Sequence, residues 1–184
     1  MLSMLKWLIR RRLAAFERAN DYDVGYARDL LDADLGAFLT FAKVCGLSSY
    51  RKGVPLDAWY AAKLVGTIGE DCGPCTQLLV TFAERDGVPV EVINAVLSGD
   101  LRALPDAVVL AVRFARAVLT RDPELVDLQP LVVARWGRRG LVSLACAITS
   151  ARLYPTMKYA LGHGHACSRV KVGGIVTPVL RQAA

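Results

Sequence analysis

A chain of 184 residues, 54% of them hydrophobic, is long enough to bury a full core as one domain without metal or disulfide staples. No apolar run reaches the roughly 18 residues that a membrane span needs: Arg113 and Arg116 interrupt 107–119, and 141–151 is too short. The formal charge of +6 gathers at Lys6, Arg10, Arg11 and Arg12, which follow a short apolar start instead of preceding a longer one, so the segment reads as neither a signal peptide nor a nucleic-acid arm.

Residues 1–22 are expected to form an N-terminal helix with a solvated basic face, its Leu5, Leu8 and Leu13 packing on the body or on another subunit. Across 24–44, Leu30, Leu31, Leu35, Phe38, Leu39 and Ala42 recur at three and four, the period of one buried helix face, and Gly46 with Ser48 and Ser49 marks its end. A loop over 50–55 leads to Asp57 as N-cap of a helix carrying Trp59, Tyr60, Lys63, Leu64 and Ile68. Gly69 and Gly73 flank the acidic pair Glu70 and Asp71 and separate this helix from the next, over 74–85. Gly87 closes that one, and Pro89 opens a short helix to about Leu97.

Further helices are expected over 106–120, 125–136 and 140–159, the last interrupted or kinked near Pro155. From His163 onwards the chain becomes a basic arm, in which Val170, Val172, Ile175 and Val176 predict either a short extended piece or an arm on a neighbouring subunit. The fold class is all-α, and the surplus apolar surface predicts a homo-oligomer. Cys45 and Cys146 lie in apolar surroundings and are expected in the core. Five cysteines in a chain read as leaderless fit a reducing, cytoplasmic setting.

The segment Glu70-Asp-Cys-Gly-Pro-Cys-Thr76 carries the chemistry. Cys72 and Cys75 sit three positions apart at a helix start, where unpaired backbone N–H groups and the dipole favour a thiolate, and Pro74 is tolerated because its missing N–H has no partner to lose. Two thiols so placed suit a redox-active dithiol. A thioredoxin fold would need a strand before the first cysteine and a βαβ context, and here a helix delivers it. A structural zinc site would need four ligands, and the chain offers only Cys167, His163 and His165 as single further candidates, so no metal and no cofactor are expected.

The helix before the cysteines, then Cys-Gly-Pro-Cys-Thr-Gln-Leu, Gly87-Val-Pro89 opening a short helix, and Arg113-Phe-Ala-Arg116 within a later one resemble the carboxymuconolactone decarboxylase and alkylhydroperoxidase D family over about 56–162. The resemblance implies a helical bundle assembled as a homo-oligomer. In the family's redox branch the cysteine pair reduces peroxides and is re-reduced by a partner dithiol protein. That branch has a histidine four positions after the second cysteine and a glutamate twelve before the first, as a proton relay; this chain has Leu79 and Tyr60 there, so only Cys72 and Cys75 carry over.

A thiol with the ordinary pKa of about 8.5 is only a few per cent thiolate at neutral pH, so activation has to come from elsewhere. Glu70 is the tentative proton carrier; Tyr60, Lys63 and Thr76 fall in register to face the site, and His163 or His165 offers a histidine from a distance. Helix position favours Cys72 as the attacking thiol, and the family resemblance favours Cys75. Two functions follow: a dithiol oxidoreductase acting on a small hydroperoxide or a disulfide, or a decarboxylase-like scaffold without peroxidase activity that binds a small ligand or partner. A lactone decarboxylase is implied by the family name alone.

Overall fold

A computed structural model describes residues 2–102, 104–166 and 169–179. Helices α1 (Leu2–Asn20), α2 (Gly25–Ala33), α3 (Leu35–Ala42) and α4 (Val44–Ser49) precede the central α5 (Leu56–Gly69). Then come α6 (Gly73–Arg85), α7 (Val90–Ser98), α8 (Asp106–Thr120) and the long α9 (Leu125–Ala160), before a hairpin of β1 (Arg169–Val172) and β2 (Ile175–Pro178). The fold is all-α with a short C-terminal arm.

Helix α5 organises the core because every residue from Ala58 to Ile68 is buried, as expected of a helix that is apolar nearly all round. It packs on α8, α9, α6 and α7. Small residues let α9 approach: a Cβ on Gly66 would come within 2.9 Å of the Ala151 Cβ. The core then fills from Val80, Ile93, Leu97, Val108, Val112, Leu128, Leu144 and Ile148. A smaller cluster, Tyr22, Val24, Tyr26 and Ala27, packs with Leu13, Phe38, Phe41, Leu78, Tyr154 and Met157 beside it.

Several expectations are corrected. The helix read over 24–44 is two helices followed by a third, because Asp34 is extended (φ −157°, ψ 122°) and its carboxylate accepts from the N–H groups of Gly36 and Ala37 as an N-cap. Aspartate stabilises such a start better than it does a helix interior. The helical path resumes in α4 and passes through Gly46 to Ser49. Helix α5 begins at Leu56 after Pro55, leaving Asp57 in its first turn. The two helices read over 125–136 and 140–159 meet in α9 across a kink at Gly137 (φ 68°, ψ 178°), as the gap between them anticipated, but the interruption expected near Pro155 is absent and the backbone stays helical there. The Gly137 conformation is open essentially to glycine alone.

Cys45 is exposed and Cys146 half-buried, so neither belongs to the core. Leu13 packs on the body, whereas Leu5 and Leu8 are exposed. The C-terminal arm is an antiparallel hairpin, Arg169 opposite Pro178 and Val172 opposite Ile175, turned by Gly173 and Gly174, both at positive φ. It docks on its own chain. Gln77 Nε2 donates to the Lys171 carbonyl at 3.0 Å, the Lys171 N–H returns a bond to Gln77 Oε1 at 2.6 Å, and Val170 and Val172 enter the core. Among the described residues no helix is long and apolar enough to cross a membrane.

Candidate functional site

The site is built where α5 ends and α6 begins. The N–H of Asp71 bonds the Ile68 carbonyl at 3.0 Å and that of Cys72 the Thr67 carbonyl at 3.4 Å, with Asp71 in the left-handed region (φ 49°). This is the 5→2 and 6→1 pattern of a helix C-terminal cap. Cys72 is also the N-cap residue of α6, so one residue closes one helix and opens the next. Its carbonyl accepts from the Thr76 N–H and from Thr76 Oγ1, each at 2.9 Å.

Cys72 and Cys75 are joined as a disulfide, their Cα atoms 5.4 Å apart, within the usual span. The two sulfur-bearing residues are not equivalent. Cys72 is 0% exposed, whereas Cys75, 4% exposed, forms part of the wall of a cavity of about 600 Å³ between α1, α2, α4, α5, α6 and α9. That size is typical of small-molecule sites. Leu13, Phe16, Leu56, Leu78, Leu79 and Phe82 make its walls largely apolar.

Tyr22 Oη stands 3.8 Å from Cys75 Sγ. Burial, with the neighbouring Tyr26 phenol adding to it, pushes the Tyr22 phenol far above the ordinary tyrosine range, so it stays a neutral O–H. Behind it lies Lys158, 0% exposed, its Nζ 4.4 Å from the Tyr22 ring centre and 5.5 Å from that of Tyr26. Its Nζ has no hydrogen-bond partner among the described residues. Burial holds its pKa below the usual lysine value, and Asp23 opposes that shift.

No protein-family model, curated protein or solved structure matches the chain. The site therefore has to be read from its own residues.

Lys63, read from the sequence as able to face the site, does turn inward. It is 4% exposed, donates to the Ser48 carbonyl at 3.0 Å and to Ser48 Oγ at 3.1 Å, and lies 4.1 Å from the Trp59 ring centre. Burial brings its pKa down to about 8, with Asp86 working the other way. Tyr60 and Leu79 both line the cavity, and Tyr60 Oη donates to Asp86 Oδ2 at 2.5 Å.

Glu70 lies outside this cavity wall: Arg152 Nε donates to its Oε1 at 2.5 Å, linking the α5 terminus to α9. The His163 ring pairs with Asp29 through Nε2 at 2.7 Å, and the His165 carbonyl accepts from the Gly73 N–H at 3.0 Å. The latter occupies one of the free donors at the α6 start. Cys167 lies outside the described residues, among which no three His, Cys, Asp or Glu side chains gather as a metal site.

Sequence reasoning missed Tyr22 and Lys158. Lys158 continues the α9 stripe of Ala147, Ala151 and Pro155, all buried, and this spacing is the signal that would have placed it inside. Tyr22 lies in the loop after α1, and only the tertiary fold brings it to Cys75.

The buried lysine at the cavity gives stability a defined pH dependence. With a folded-state pKa of about 8 against 10.5 unfolded, Lys63 binds fewer protons folded than unfolded between these values. Stability therefore rises with pH across that window, by on the order of 3 kcal/mol, and the penalty is constant below it. Denaturant unfolding of the wild type and Lys63→Met from pH 6 to 10 should show the wild type gaining on the variant only above pH 8. A constant difference would refute the assignment.

Proposed function

We propose that this chain is a dithiol oxidoreductase of the alkylhydroperoxidase D-like kind, using Cys72 and Cys75 to reduce a small hydroperoxide. The observation that carries the reading is the asymmetry of the pair: Cys75 on the wall of an apolar cavity with the Tyr22 hydroxyl beside it, Cys72 sealed behind. Cys75 is then the attacking thiol, in line with the resemblance and against the helix-position argument.

In the reduced protein the Cys75 thiolate attacks the terminal peroxide oxygen. The O–O bond breaks, the alkoxide leaves with a proton as alcohol, and Cys75 becomes a sulfenic acid. The Cys72 sulfur displaces its hydroxyl, which takes a proton and leaves as water, and the disulfide forms. A partner dithiol returns two electrons and two protons. Tyr22 donates its O–H to the thiolate, and Lys158 behind the ring favours negative charge there. Glu70, bound by Arg152, carries no proton in this scheme.

Steady-state consumption of cumene hydroperoxide with dihydrolipoamide as reductant tests this. Turnover that oxidises one dihydrolipoamide per peroxide supports it; none at any reductant concentration sinks it. Leu79 and Tyr60, where the redox branch has its relay, favour a second reading, a decarboxylase-like scaffold that binds a small ligand without reducing peroxide.

The partner most in keeping with the surface is a second copy. Met4, Trp7 and Leu8, which share one side of α1, are 62%, 52% and 46% exposed, an apolar surface of the kind that subunit interfaces cover. Sedimentation should give a dimer or larger assembly, and Trp7→Glu with Leu8→Glu a smaller one. A monomeric wild type would contradict it. A cytoplasmic setting, where partner dithiols keep thiols reduced, suits the reading.

A further inference from the structure

The cavity has a direction. On α6, Cys75, Leu79, Phe82 and the capping Asp86 follow one another at helical spacing along its wall, about 16 Å from end to end at 1.5 Å per residue. On α5, Thr67 lies at the cysteine end, where its carbonyl accepts from the Cys72 N–H, and Tyr60 lies at the Asp86 end, where its hydroxyl meets that carboxylate. Side chains on a helix lean towards its N-terminus, so Lys63 on α5 leans away from the cysteines, and its Nζ bonds Ser48 of α4.

The two ends differ in chemistry. The cysteine end is lined by Tyr22 and Phe16, whose rings meet edge to face at 6.1 Å, and Phe16 continues the aromatic wall to Phe82, 6.3 Å away and further along towards Asp86. The other end holds Lys63, a cation 4% exposed, with Ser48 beside it and Arg51 at the rim. An ammonium has three donors. Two of those on Lys63 go to Ser48, and the ammonium also lies 4.1 Å from the Trp59 ring centre, with no third hydrogen-bond acceptor among the described residues. The one acidic group on the wall, Asp86, already accepts the Tyr60 hydroxyl.

We infer that the cavity binds an aliphatic carboxylate of medium chain length, its carboxylate on Lys63 and its chain lying along Leu79 and Phe82 towards Cys75. This rests on reading the cavity as the substrate site, and it names the substrate class: the hydroperoxide of such an acid, carrying the peroxide on its chain. The anion meets the Lys63 ammonium, which lacks a carboxylate partner, in a charge-assisted hydrogen bond away from bulk water, and the chain covers apolar wall that water otherwise touches.

Calorimetric titration of the whole chain with decanoate, 1-decanol and decylamine tests the assignment, because the three share a chain and differ in the head. Decanoate is expected to bind at least about tenfold more tightly than decanol, and decylamine more weakly than either. In Lys63→Met, and in Lys63→Gln should the first variant misfold, decanoate falls to the level of decanol while decanol binding persists. Equal affinity for decanoate and decanol in the wild type, no binding of any probe, or a preference for decanoate that survives both substitutions overturns the proposal. A chain that selects decanoate yet never consumes peroxide would sink the redox reading and leave this one standing, so the two fail separately.

Discussion

Cys75→Ser is expected to abolish peroxide turnover, by about 10³-fold or more, whereas Cys72→Ser is expected to stop the reaction after one turnover with its peroxide-reacting step intact. The difference follows from burial. Cys75 shares the cavity wall with Tyr22 and Phe16, while Cys72 is fully enclosed as the residue that caps both α5 and α6. A peroxide in the cavity therefore reaches Cys75 first. Without Cys72 nothing resolves the sulfenic acid, which a dimedone label should capture stoichiometrically on Cys75. In the reduced wild type, iodoacetamide should modify Cys75 and the exposed Cys45 well before Cys72. Equal loss in the two serine variants, with the label on Cys72, would reverse the assignment of attacker and resolver.

Lys158→Met is expected to change activity and stability in opposite directions. An ammonium that is 0% exposed and has no hydrogen-bond partner is costly; its contacts are the ring faces of Tyr22 and Tyr26. Methionine fills a similar volume without charge, so the variant should be more stable by about 1–4 kcal/mol at neutral pH, as when other buried charges are replaced by apolar side chains. The same cation favours a thiolate on the far side of Tyr22. At an effective dielectric of about 20 and a separation of roughly 10 Å the attraction is about 1–2 kcal/mol. The pH midpoint for alkylation of Cys75 should therefore rise by about one unit and the peroxide-reacting step at pH 7 slow about tenfold. Tyr22→Phe should slow it similarly without the gain in stability. Unchanged alkylation kinetics in Lys158→Met would leave the lysine no part in activation.

The helical class, the order of the elements and the dithiol at a helix start were legible because each rests on local pattern. Ala58 to Ile68 are buried as one block, and Cys-Gly-Pro-Cys sits between glycines that punctuate two apolar runs. Asp34 carried a legible helix start that the longer apolar period concealed, since Leu31 and Leu35 continue the spacing across it. The break between the last two helices was legible around Gly137, where a single residue at φ 68° makes it, whereas Pro155 suggested an interruption that the helix does not show.

The groups that surround the cysteine pair were not legible as a set. Lys158 had a periodic signal in α9, but Tyr22 meets Cys75 across 53 positions of sequence, and no local pattern encodes that contact. The inward turn of Lys63 depends on Ser48 of α4 to receive it. Glu70 was the nearest carboxylate in sequence, yet Arg152 on α9 takes hold of it. Nearness along the chain marked the thiols and misled about their neighbours.

The central claim is that the Cys72–Cys75 pair of the reduced protein is oxidised by hydroperoxide through Cys75. It is tested most directly by mixing the reduced chain with one equivalent of cumene hydroperoxide, quenching with a thiol-blocking reagent and mapping the cysteines by mass spectrometry. The account predicts that Cys72 and Cys75 are recovered as a disulfide, with one equivalent of cumyl alcohol formed, while Cys45 and Cys146 remain blocked as thiols. Recovery of Cys72 and Cys75 as blocked thiols, with the peroxide intact, would contradict it.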